Sequence, residues 1–142
     1  MKFADKACPV LFRDASMRHI LAFEHPNAGL QIVKGRIEPG ENAPTAALRE
    51  LAEEAGIADA TIARDLGVWH SNHKDQIWSL QLCTFSPELP ETWFHHCDDD
   101  GGHDFRFFWH DLNQRPSDRW RPQYRRALDE ILERTRALRW RG

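Results

Sequence analysis

The sequence predicts an α+β fold, a mixed-sheet sandwich, on three observations. Short strand-like segments surround two helical ones, without the regular βαβ alternation of a parallel sheet. At 142 residues, 41% of them hydrophobic, the chain is long enough for one core without disulfides or metals. No repeat or low-complexity linker divides it, so residues 1–142 read as a single domain.

Residues 9–12 and 18–25 read as two strands joined by a turn over 13–17, and 29–35 as a third, running into a glycine-bounded loop. A helix follows over 43–55, with Asn42 placed to cap it, Pro44 in its first turn and Gly56 as its stop. Residues 66–72 and 75–85 form a hairpin whose second strand alternates in part. A proline-broken loop over 86–93 leads into a polar, flexible-looking segment over 95–103 and a final strand over 104–112. From 122 to 140 the spacing of Leu128, Ile131, Leu132, Thr135 and Leu138 predicts a second amphipathic helix.

A formal net charge of −3 gives no general attraction to nucleic acid or anionic membranes, and no apolar run is long enough to cross a bilayer. The nine arginines after residue 114 face four acids, so the rest of the chain is acidic. Cys8, Cys83 and Cys97 match no zinc or redox spacing and read as reduced thiols. The N-terminus lacks the apolar core of a signal peptide. The expectation is a cytoplasmic protein, monomer or homodimer, with no membrane partner.

The chemistry concentrates on the first helix. On a wheel of about 100° per residue, Leu48, Leu51, Ala52 and Ala55 share a core-facing stripe, while Glu50, Glu53 and Glu54 occupy the opposite arc. Three glutamates at the C-terminal end repel both one another and the helix dipole. A solvated acidic face explains their helix propensity; a divalent cation explains their arrangement, because clustered carboxylates suit magnesium or manganese. Arg49 lies four residues before Glu53, within salt-bridge reach.

Gly35, Glu41, Arg49-Glu50-Leu51, Glu53-Glu54 and Gly56-Ile57, at their spacing over 35–57, resemble the Nudix box at every specified position. The resemblance implies an α/β/α sandwich around a mixed sheet and a magnesium- or manganese-dependent hydrolase cleaving a nucleoside diphosphate linked to a group X. It assigns metal binding to Glu50, Glu53, Glu54 and the Gly35 carbonyl, and the positioning of those glutamates to Arg49 and Glu41. A carboxylate outside the metal's coordination shell would activate water. Glu53 is the first choice, with Asp98, Asp99, Asp100 and Asp104 as loop candidates.

Beside the box, Lys34 and Arg36 are candidate phosphate contacts. Val33-Lys34-Gly35 departs from the Pro-Lys-Gly of the family's dinucleoside polyphosphate and inositol phosphate hydrolases, so the substrate stays open. Trp69, Trp78 and Trp93 are candidate base-stacking platforms, Trp69 and Trp93 the better placed beside polar segments, against the commoner role of such rings as core. His95, His96, Cys97 and His103 match no closed zinc site, and the aspartates at 98–100 lack the glutamate of a calcium loop, Trp109 standing in its place. The acidic 93–104 segment reads instead as a substrate loop carrying Asp104. The arginine-rich C-terminal helix leaves two other readings, an RNA 5′-pyrophosphohydrolase and a non-catalytic nucleotide sensor; the intact glutamates disfavour the sensor.

Overall fold

A computed structural model describes residues 3–139, apart from the side chain of Asp100; Trp140, the expected end of the second helix, lies outside the described residues. The elements run β1 (Lys6–Leu11), β2 (His19–His25), β3 (Gly29–Gln31), β4 (Gly35–Arg36), α1 (Ala43–Ala55), β5 (Thr61–His70), β6 (Ile77–Thr84), β7 (Trp93–Cys97), β8 (His103–Asp111), α2 (Pro122–Arg134) and α3 (Arg136–Arg139). The strands form two four-stranded sheets, β4-β1-β6-β5 and β3-β2-β8-β7. The first is mixed, because β1 runs parallel to β6 and antiparallel to β4. The second is antiparallel throughout. A Phe12–Ile20 bridge joins them.

Helices lie on both sides, which makes the α+β sandwich. Ile20 and Ala22 of β2 pack with Ala127, Leu128 and Ile131 of α2, while Leu21 and Phe23 pack with Leu51 and Ala55 of α1. β2 is therefore buried on both faces, and so reads as a continuous apolar run rather than an alternating one. β6 is the same: its buried Gln81 donates from Nε2 to the buried Ser79 Oγ at 2.9 Å, while Gln81 Oε1 is left without a partner.

Several elements differ from expectation. β7 occupies residues assigned to a flexible loop. It is an edge strand with Phe94 and His96 facing solvent, so its sequence carries little apolar signal. β5 starts at Thr61, earlier than the expected residue 66, and its largely exposed first half carries no apolar pattern to report it. The long C-terminal helix breaks at Thr135, whose Oγ1 donates back to the Ile131 carbonyl (2.7 Å), a bond that bends helices; α3 continues beyond it. The three cysteines are free and buried, and among the described residues no helix is long and apolar enough to cross a membrane.

Candidate active site

Helix α1 begins and ends as its caps dictate. Asn42 Oδ1 accepts the Thr45 N–H at 2.8 Å, and Gly56, at φ 76°, returns its own N–H to the Ala52 and Leu51 carbonyls. Between the caps the helix is buried on more sides than its apolar stripe foretold. Leu51 and Ala55 are core, Leu48 and Ala52 are half-buried, and Ala46 and Ala47 pack against Ala7 of β1. The glutamate arc does not face open solvent: Glu50 is only 6% exposed and Glu54 half-buried, whereas Glu53 is exposed.

Arg49 is the hub of the face. Its guanidinium donates to both oxygens of Glu41 (2.8 and 2.9 Å), to Glu50 Oε1 (2.9 Å), to Glu53 Oε2 (3.2 Å) and to the Arg36 carbonyl (2.8 Å). Its bonds hold the Glu41 carboxyl down at about 2. Glu50 and Glu54 go the other way. Burial raises both, and Glu54 is pushed well above the ordinary carboxylate range by desolvation and then by the neighbouring Glu50 charge. Glu54 Oε2 is buried with no hydrogen-bond partner. Gly35 lies so close beneath Glu50 that a β-carbon there would fall within the carboxyl group.

These groups line a cleft of about 800 Å³. Glu50, Glu53, Glu54 and Arg49 form one wall; Lys34, Gly35 and Arg36 run beside them. The Lys34 ammonium sits over the rings of Trp78 (4.7 Å) and Tyr124 (5.3 Å), and burial first, then the Lys6 charge, lower its pKa to about 8. Asp99 reaches the cleft from the β7–β8 turn.

The opposite end was not foreseen. His25 of β2 and His103 and Phe105 of β8 form a wall of rings, with centroids 4.7 Å apart for His25–His103 and 5.2 Å for His25–Phe105. The available signal was the two-residue period that places His103, Phe105 and Phe107 on one face of β8.

Other expected site residues lie elsewhere. Trp69 meets Trp78 edge-on and packs on the α2 side of the core, and Trp93 stacks on Phe107 while its Nε1 donates to the Ala55 carbonyl (3.0 Å). Neither lines the cleft. Trp78 is fully buried. Asp104 alternates away from His103 and accepts from His96 Nδ1 (2.8 Å), and Asp98 pairs with the other nitrogen of that ring.

The residues fit a hard divalent cation. Glu54 carries a buried, orphaned oxygen beside the buried Glu50 carboxylate, and Arg49 is shared by Glu50 and Glu53 and does not reach Glu54. Among the described residues no three His, Cys, Asp or Glu side chains form a ready cage, since Glu50 and Glu53 both turn to Arg49.

The NUDIX domain model matches residues 5–131. No curated protein matches the sequence. Among solved structures, an ADP-ribose pyrophosphatase from Streptococcus suis superposes with a TM-score of 0.67 at 15% identity, over 92% of this chain and 90% of that one. The E. coli ORF135 protein gives 0.64 at 22% identity, over 96% and 93% of the two chains. The E. coli dihydroneopterin triphosphate pyrophosphohydrolase gives 0.58 at 17% identity, over 93% and 99%. Such identities establish a shared fold. With the family model spanning nearly all of the described sequence and its glutamates gathered on one cleft, the chain belongs to the Nudix family of hydrolases.

Proposed function

We propose that this chain, acting as a single domain, is a divalent-metal-dependent pyrophosphohydrolase that cleaves a nucleoside diphosphate linked to a group X. The observation that carries the reading is Glu54, a half-buried residue with one buried, unpartnered carboxylate oxygen beside Glu50 and an open cleft. Carboxylates raised by burial and mutual repulsion in a cleft mark a functional site. Glu50, Glu54 and the Gly35 carbonyl would hold magnesium or manganese, which leaves Glu53 outside the coordination shell. The bound ion would offset pyrophosphate charge and acidify the attacking water.

The chain's own residues supply the rest. Arg49, anchored by Glu41, fixes Glu50 and Glu53 in direction. Lys34 and Arg36 contact phosphate oxygens as charge-assisted donors. Glu53 Oε1, the oxygen not bonded to Arg49, takes the proton from water; Asp99 is the second candidate, because it also reaches the cleft. The rings of His25, His103 and Phe105 give the nucleobase a stacking wall. Three unbridged thiols support a reducing, cytoplasmic setting. The neighbours named as an ADP-ribose pyrophosphatase and a dihydroneopterin triphosphate pyrophosphohydrolase support pyrophosphate cleavage on this scaffold.

The RNA reading finds little support. Arg126 and Arg139 bond backbone carbonyls, and Arg119, Arg125, Arg134 and Arg136 pair with carboxylates. Phosphate release from a nucleotide panel with magnesium, manganese or excess EDTA tests the proposal. Turnover with metal and none in EDTA is expected; undiminished turnover in EDTA, or no turnover of any member, overturns it.

A further inference from the structure

A second cavity of about 570 Å³ adjoins the glutamate cleft and shares Lys6 and Arg36 with it. Lys74 completes a cationic lining. Three features set these cations apart from ordinary surface charge.

First, Lys6 of β1 and Arg36 of β4 are direct cross-strand partners in the antiparallel pair. Like charges placed opposite each other destabilise a sheet unless something anionic lies between them. Second, among the described residues Lys6, Arg36 and Lys74 form no ion pair through their side chains. Asp5 and Asp75 also line the cavity, but Asp5 Oδ2 is engaged by the Ile77 N–H (2.8 Å) and Asp75 has interactions of its own. Third, Lys74 is carried on a strained turn. Asn72, Lys74 and Asp75 have φ of 58°, 51° and 56°, a left-handed conformation that non-glycine residues adopt at a cost and that clusters at ligand sites.

We propose that this cavity is an anion subsite for a phosphate beyond the pair bridged at the glutamates, so that the preferred substrates carry three or more linked phosphates. The proposal rests on the hydrolase reading and specifies X as beginning with phosphate. Lys6 and Arg36 line both cavities, so a chain extending from the cleft into the second cavity meets them, and Lys74 lines the second cavity alone. The same repulsion that the glutamates hold for a cation is held here, with opposite sign, for an anion.

Calorimetric titration with inorganic tripolyphosphate and with pyrophosphate, in magnesium, tests it. One additional charge-assisted contact should make tripolyphosphate bind about tenfold tighter or more. Lys6→Gln combined with Lys74→Asn, which suits the left-handed backbone, should reduce that ratio to about threefold or less. Lys74→Asn alone, on an exposed turn, should give part of the loss if the double variant folds poorly. Without ligand, Lys6→Gln should raise the melting midpoint by removing the cross-strand repulsion, which a solvated surface lysine would not do. Equal affinities in the unmodified protein, or a ratio unchanged in the double variant, overturn the proposal. Hydrolysis of a nucleotide with uncharged X but no tripolyphosphate preference removes the subsite and leaves the hydrolase reading intact. A preference that the variants abolish, without hydrolysis of any nucleotide, keeps the subsite and removes the hydrolase reading.

Discussion

Gly35→Ala is the smallest change that should disable the site. Gly35 is not among the glycines with positive φ, so its backbone accepts alanine and the effect is steric. The added β-carbon would fall inside the Glu50 carboxyl group. To regain an ordinary carbon–carbon separation of about 3.5 Å, the carboxylate must retreat by roughly an ångström or more. A displacement on that scale of a group aligned with the reacting centre costs about 10²-fold in rate. Retreat also breaks the 2.9 Å bond from Arg49. A bond between charged groups contributes about 1.5–3 kcal/mol, and the stiffer unfolded chain returns about 0.4–1 kcal/mol. The net loss is about 1–2 kcal/mol, a fall in melting midpoint of roughly 3–8 °C for a chain of this size. Phosphate release at saturating magnesium gives kcat, and circular dichroism gives the midpoint. A folded variant whose kcat stays within about twofold of the original would refute the placement of Glu50 against Gly35 as a catalytic requirement.

Glu54→Gln should lower turnover by ~10³ or more yet raise the midpoint in EDTA, because it removes a desolvated charge with one oxygen unpartnered. The folded Glu54 carboxyl titrates above its unfolded value of 4.5, so the metal-free protein should lose stability as pH rises through the window between the two. Melts in EDTA from about pH 5 to pH 8 should therefore slope more steeply for the unmodified protein than for Glu54→Gln, and equal slopes would count against the burial argument. Arg49→Ala should reduce both kcat and midpoint by unpairing Glu41 and Glu50; Arg49→Lys should restore only part, since an ammonium cannot make the forked contact with Glu41. Trp93→Ala should cost about 3 kcal/mol of stability and lower kcat more than it raises KM, because the indole holds the end of the glutamate helix. A rise in KM alone, with unchanged stability, would return Trp93 to a role in substrate binding.

What could be read in the sequence was what local rules decide. Asn42, Pro44 and Gly56 bound α1 because caps act through neighbouring backbone groups, and the glutamate spacing placed Glu50, Glu53 and Glu54 on one side of it. Which surroundings that side would meet was not local. A cleft wall and a solvated face share one polar pattern, so the near-complete burial of Glu50 could not be read from it. The ring wall joins His25 to His103, 78 residues apart in sequence, through the antiparallel pairing of β2 and β8, and no helical or strand period reports such a partnership. Trp69 and Trp93 stand beside polar residues, which made them the better stacking candidates against the commoner role as core; strand alternation turns both toward core. β7 escaped notice for the reverse reason, since an edge strand with Phe94 and His96 outward needs no apolar run.

The central claim is that the glutamate face of α1 holds a divalent cation, and manganese binding followed by electron paramagnetic resonance tests it without reference to any substrate. Free manganese should be depleted stoichiometrically by the unmodified protein. Glu50→Gln and Glu54→Gln should each weaken that binding by about tenfold or more, the loss expected when a carboxylate ligand becomes a neutral amide. Binding of equal strength in both variants, or no binding to the folded protein even with a nucleotide present, would contradict the account.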